Sequence, residues 1–228
     1  MNETITIVPA HANSDQKKKL LKTGLMAIKT PKIVSTNFPV DDETYELCDY
    51  VIYDKRNPRL MAADYSIYGV DYWFRKVVGS DSMVEQCKFD HGFAAYTLIA
   101  NGIKCAKAMG FKNCNVIEYD YEWDDEVMIT HENELKNNDA VFYRYTPSEW
   151  NGVAYNSSFF SGKSDALLHF FGKYNELDSY YRNNLPTPGP KLLERVLYYG
   201  MQGAEHKIKE FSTDYIKKKL KYDQSKRV

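Results

Sequence analysis

Asn115-Val116-Ile117-Glu118-Tyr119-Asp120 is the stretch on which the fold turns. The apolar run reads as a buried strand over 115–119. Alternate side chains of a strand share a face, so Glu118 and Asp120 are expected to point the same way. Two carboxylates crowded at a strand mouth repel each other unless something positive sits between them. A divalent cation answers that need, because Mg²⁺ and Mn²⁺ prefer hard oxygen ligands, and such a cation commonly holds a diphosphate. The competing reading is an exposed strand end carrying ordinary surface acids. The choice depends on whether the flanking chain builds a nucleotide-binding sheet.

Toward the amino terminus it does. Ile5-Thr6-Ile7-Val8 reads as a first strand that stops at Pro9. Ser14 or Asn13 caps a helix in which Leu20, Leu21, Gly24, Leu25 and Ile28 share one face, and Pro31 ends it. Lys32 to Thr36 is a second strand, Asp41 to Leu47 a short acidic helix, and Tyr50 to Tyr53 a third strand. This β-α-β-α-β order predicts a parallel sheet with right-handed crossovers. Residues 59–90 show no clean period and read as an insertion over the sheet edge. Phe93 to Met109 then forms a strong helix, closed by Gly110, that leads into the acidic strand. Beyond that strand, 139–146 and 153–160 read as a hairpin, and Asp165 to Tyr174 as a helix. Leu185 to Pro190 is a stiff connector, and a final amphipathic helix starts near Lys191. The expected organisation is an α/β domain over 1–184 and a helical extension over 185–228.

Bulk composition narrows the function. The 30 Lys and Arg balance 31 Asp and Glu, which argues against nucleic-acid binding by global charge. The four cysteines form no CxxC pair and read as free thiols of a reducing compartment. No signal peptide and no stretch long enough to cross a bilayer are read, so a cytoplasmic protein is expected. There is no GxxxxGK[ST] loop, no GxGxxG after the first strand and no GxSxG elbow. Kinase, dehydrogenase and serine hydrolase readings lose their support accordingly.

Ligands of open parallel sheets sit beyond the carboxyl ends of the strands. Four polar strand ends should therefore share one rim: Pro9-Ala10-His11, Thr36-Asn37, Asp54-Lys55 and Glu118-Tyr119-Asp120. Asp54 is a candidate acceptor from a base edge. Asp90-His91-Gly92 precedes the long helix, whose amino terminus favours an anion such as a diphosphate. Asn101, polar on a packed helical face, calls for a hydrogen-bond partner and is a candidate brace for the site. Phe159 to Lys163 reads as a passage from strand to loop, and Glu122 to Glu126 as a solvated acidic loop. Glu194 is a candidate general base, and His206 a candidate late metal ligand.

With these motifs in order, the chain resembles glycosyltransferases of the GT-A fold, most like family 2, including compact viral and phage members. The carriers are Ile5 to His11, Lys32 to Pro39, Asp49 to Asp54, His91-Gly92 leading into Ile99 to Ala106, and Val116 to Asp120 in the place of the family's DxD motif. The resemblance spans about residues 4–200. It implies a GT-A-like, mostly parallel central sheet flanked by helices. It also implies transfer of a sugar from a nucleotide diphosphate, a UDP-sugar foremost, to a saccharide or other hydroxyl acceptor. Pro9, Ala10, His11 and Asp54 would contact the nucleoside; Thr36, His91, Asn101 and Tyr119 are further candidates for binding the donor. Asp120, with Glu118, would ligate Mn²⁺ or Mg²⁺. An inverting member needs a carboxylate base, for which Glu194 and then Asp165 are the candidates. Glu in place of the first Asp of DxD is a departure from the family. The rival classes are a nucleotidyltransferase making nucleotide sugars, which would want a Gly-rich basic loop that Ala10 to Gln16 lacks, and a non-catalytic binder of nucleotide sugars or carbohydrates.

Overall fold

The computed structural model describes residues 3–55, 92–145, 153–175, 179–180, 193–202 and 205–215. The expectations for 59–90, for His91, for the 185–190 connector and for the start of the last helix lie outside the described residues.

β1 (Thr4–Ala10) is followed by α1 (Asp15–Ala27), β2 (Lys32–Thr36), α2 (Asp42–Glu46) and β3 (Tyr50–Tyr53). α1 begins where Ser14 accepts a hydrogen bond from Lys17 N. α2 begins at Asp41, which accepts from Thr44 N. Bonds from Thr44 to that carboxylate hold Asp41 down at about 2. α3 (Gly92–Ala108) ends in a reversal in which Gly110 takes φ +87°, a left-handed conformation that glycine adopts without penalty. β4 (Asn113–Ile117) and α4 (Asp125–Leu135) come next. β5 (Ala140–Arg144), β6 (Phe159–Lys163), α5 (Ser164–Phe171), α6 (Leu193–Gln202) and β7 (Ile208–Ser212) complete the described elements.

The strands form one sheet in the order β3-β2-β1-β4-β6-β5-β7. β1 pairs in parallel with β2 and β4, β2 with β3, and β5 with β7. Only β6, among the described strands, runs against its neighbours. The sheet is thus mostly parallel, flanked by helices on both faces, as a GT-A-like α/β fold requires. The chain winds outward from β1 in both directions, so the crevice between the carboxyl ends of β1 and β4 is a topological switch point.

Strand alternation sorts the core. Ile5, Ile7, Cys114, Val116, Phe142 and Phe160 face α3, α5 and α6, whereas Val8, Ala10, Val34, Ile117 and Tyr143 face α1 and α4. Under α4 the buried face is polar. His131 bonds Ser161 Oγ through Nδ1 and the Tyr143 hydroxyl through Nε2, each at 2.6 Å. Ser161 in turn donates to Asn115 Oδ1 at 2.7 Å. Burial holds His131 neutral, with its pKa down at about 3.

Four expectations need correction. β4 ends at Ile117, and Glu118 to Tyr121 is a turn closed by Tyr121 N donating to Glu118 O at 3.0 Å. The acidic run 122–126 is no plain loop, because Asp124 caps α4 by accepting from Val127 N at 3.0 Å. The second hairpin strand lies later than 153–160: only Tyr155 makes an isolated bridge, and Phe159 to Lys163 is itself β6. The carboxyl-terminal part is not helical alone. α6 puts Leu193, Val196, Leu197 and Met201 into the main core, and β7 extends the main sheet.

Candidate functional site

Both chemistry and topology lead to the carboxyl edge of the sheet. At the end of β1, Pro9 and Ala10 are buried, and half-buried His11 stands beyond them. Its Nδ1 meets Asn37 Oδ1 at 3.1 Å, and its ring packs edge-on against Phe38 with centroids 4.9 Å apart. Asn37 is 1% exposed. Thr36 shapes the turn that presents both residues, since its hydroxyl donates to Phe38 O at 2.9 Å and accepts from Phe38 N at 3.1 Å. Asp54 follows β3, and its backbone N donates to Thr36 O at 2.9 Å, continuing the ladder by one residue. His11, Asn37 and Asp54 therefore stand on successive strand ends along one rim.

The acidic turn completes that rim at the switch point. Glu118 N donates to Ser158 O at 2.8 Å, so the β4–β6 ladder runs one residue past Ile117. Ile117, Tyr119 and Tyr121 all pack on the α1/α4 face of the sheet. Glu118 and Asp120 alternate with these three residues along the chain, and neither belongs to the clusters on this face. Both acids are half-buried, and Asp120 Oδ1 lies away from solvent. Tyr119 itself serves packing: its ring joins the cluster beneath α1, and its carbonyl approaches Gly24.

Glu194, at the start of α6, reaches this region through the loop before β6. Its Oε1 accepts from Ser157 Oγ at 2.9 Å, and its carbonyl accepts from Tyr155 N at 3.1 Å. Ser157 adjoins Ser158, the residue bonded to Glu118 N. The sequence reads this segment as part of a strand over 153–160, which hides the loop. Its one visible signal was the polar run Asn156-Ser157-Ser158 lodged between aromatic residues.

Three candidates fall elsewhere. Asp165 follows antiparallel β6 and so lies at the amino edge of the parallel strands, opposite Asp120. It is largely exposed, with 79% of its side chain accessible, and pairs with Lys107 at 2.8 Å. His206 precedes β7 at that same amino edge. The five residues of β5 or β7 separate its end of the sheet from the rim by roughly 16 Å, too far for a shared metal shell. Asp165 and His206 instead line a cleft of about 760 Å³, where Lys107, Lys112 and Lys163 are each paired with an acid. Asn101 stands nine residues into α3, about 13 Å down the helix from its start, rather than at the rim.

Among the described residues, no group of three or more His, Cys, Asp or Glu side chains gathers to hold a metal ion. Glu118 and Asp120 offer the right donors for a hard cation but not a complete set. A Mg²⁺ or Mn²⁺ ion there would take its other ligands from a diphosphate and water, as such ions commonly do. No described helix is long and apolar enough to cross a membrane.

No protein-family profile matches the chain, and no curated protein matches it. Among solved structures, the chain is similar to core-mannan synthase A from Aspergillus fumigatus in its Mn/GDP form, at 13% identity and a TM-score of 0.48, over 92% of this chain and 73% of that one. It is also similar to A197 from STIV, at 10% identity and a TM-score of 0.36, over 93% of this chain and 83% of that one. The strand order and pairing, rather than these likenesses, show the mostly parallel α/β sheet.

Proposed function

We propose that the chain is a metal-dependent glycosyltransferase that moves a sugar from a nucleotide-diphosphate donor, a UDP-sugar foremost, to a hydroxyl acceptor. The observation that carries this reading is the convergence on one sheet edge. Polar groups stand on the ends of β1, β2 and β3, the acid pair follows β4, and Glu194 is tied to the same loop as Glu118. In this account His11, Asn37 and Asp54 hold the nucleoside, over the floor of Pro9 and Ala10. Glu118 and Asp120 hold Mn²⁺ or Mg²⁺, which when bound offsets charge on the diphosphate leaving group.

The reaction balances with one base. An acceptor oxygen attacks the anomeric carbon of the donor. The bond from that carbon to the diphosphate breaks, and its electron pair leaves on the diphosphate oxygen. The acceptor proton passes to Glu194, the arrangement of a single, inverting displacement. Holding donor and acceptor in the reactive geometry contributes much of the rate in such reactions.

The test is slow hydrolysis of a UDP-sugar in Mn²⁺, with water as acceptor. Turnover is expected in the native chain, with loss in both Asp120→Ala and Glu194→Gln. Donor binding without any turnover would make the chain a nucleotide-sugar-binding protein instead. Turnover unchanged in Asp120→Ala would overturn the site assignment.

A further inference from the structure

The four residues Tyr155 to Ser158 bond to both halves of the site. On one side, Asn156 Nδ2 donates to the Tyr121 hydroxyl at 3.0 Å, and Ser158 O accepts from Glu118 N at 2.8 Å, so the acidic turn is held at both its ends. On the other, Ser157 Oγ donates to Glu194 Oε1 at 2.9 Å and Tyr155 N to Glu194 O at 3.1 Å, so the start of α6 is held in side chain and backbone. The segment is itself rigid. Asn156 is 3% exposed, its Oδ1 accepts from Ser158 N at 2.8 Å and Phe159 N at 3.0 Å, and its own N donates to Tyr143 O at 2.7 Å. A buried amide satisfied in this way has one orientation and transmits it.

We propose that Asn156 and Ser157 are positioning residues with divided duties: Asn156, through Tyr121, sets the acidic turn that engages the donor diphosphate, and Ser157 aims the Glu194 carboxylate at the acceptor. The inference rests on the reading of the site given above. Its consequence is that the two bonds act on different kinetic constants. The Ser157 bond reaches only the group that takes the acceptor proton, so its loss is felt in turnover. The Asn156–Tyr121 bond reaches only the turn that grips the donor, so its loss is felt in binding. Neighbouring groups that orient a ligand or a base commonly matter on the order of 10- to 100-fold when removed.

The experiment measures kcat and KM for hydrolysis of a UDP-sugar in Mn²⁺, beside the Kd of UDP, for Ser157→Ala, Ser157→Thr, Tyr121→Phe and Glu194→Gln. Ser157→Ala should lower kcat on the order of 10- to 100-fold while the KM and the UDP Kd stay within about twofold, and Ser157→Thr, which keeps the hydroxyl, should restore most of the loss. Tyr121→Phe, which keeps the ring, should raise the KM and the UDP Kd with a smaller effect on kcat. If Glu194→Gln abolishes turnover but Ser157→Ala leaves kcat intact, the positioning inference falls and the function stands. If Ser157→Ala and Tyr121→Phe depress both constants alike, the segment is merely structural and the inference falls. If Glu194→Gln changes nothing, the functional reading fails and takes this inference with it.

Discussion

Gly102 shows how a single residue sets the distance between a helix and the sheet. A methyl group there would lie 2.4 Å from Ile7 Cγ2, and Ile7 is fully buried in the central strand β1. Ile7 branches at Cβ and has no flexible end to move aside. Gly102→Ala is therefore expected to destabilise the protein by about 1–3 kcal/mol despite the better helix propensity of alanine, read as a lower urea midpoint with an unchanged slope. An equal or higher midpoint would mean that α3 shifts freely on the sheet. At this same scale the place of the acids could be read from the sequence, because an apolar run ending in Glu-Tyr-Asp puts them just beyond a strand, whereas a run of that kind fits a cation site and ordinary surface acids alike. A shared strand face does not account for the pair, since β4 stops at Ile117 and both acids stand in the turn beyond it. Asp165 and His206 were misplaced because an acid or a histidine carries no mark of which sheet edge it will occupy. That depends on the direction of β6 and on β7.

Element by element, the parallel half of the sheet could be read from the sequence and the rest only in part. β1, α1, β2, β3 and α3 have apolar periods bounded by Pro, Gly or a capping residue, and α2 is marked by its Asp41 cap, so local chemistry and tertiary structure agree. α4 was hidden because its start is a run of acids and its buried face carries His131 in place of an aliphatic residue. β7 was hidden because Ile208-Lys209-Glu210-Phe211-Ser212 is a half-exposed strand with charges at its middle. The α4 histidine makes a pH prediction. An unfolded chain protonates histidine near its ordinary 6.5, whereas buried His131 resists until about 3. The unfolded state then binds more protons between those values, so stability is complete above about 6.5 and is lost as pH falls toward 3. At roughly 1.4 kcal/mol per pH unit the loss is on the order of 3 kcal/mol by pH 4. The lowered carboxylates act as pH falls past their ordinary values, 3.8 for Asp41 and 4.5 for Glu3, and His169 is lowered as well, so the His131 share is the difference between the native chain and a His131 variant above about pH 5. Urea unfolding across that window should show the slope in the native chain and a flatter one in His131→Gln. Equal slopes would mean that His131 is not buried in its neutral form.

Across the whole molecule the two edges of the sheet have different characters. At the amino edge, lysines and acids pair with one another around a cleft, Lys112 with Glu3 and Lys163 with Asp139. Such exposed pairs contribute little to stability and leave no concentrated charge for a ligand. At the carboxyl edge, His11, Asn37 and Asp54 mark the ends of β1, β2 and β3, and the acids collect where the winding reverses between β1 and β4. The proposed nucleotide-diphosphate site rests on that asymmetry rather than on any one residue. The most direct measurement is a calorimetric titration of UDP, with GDP in parallel, into the protein in Mn²⁺ and again in a chelator, repeated with Asp120→Ala. The account predicts binding that requires Mn²⁺ and weakens on the order of tenfold or more in Asp120→Ala, with thermal unfolding of the variant little changed. Nucleotide binding that is the same with and without the ion, or untouched by Asp120→Ala, would contradict it.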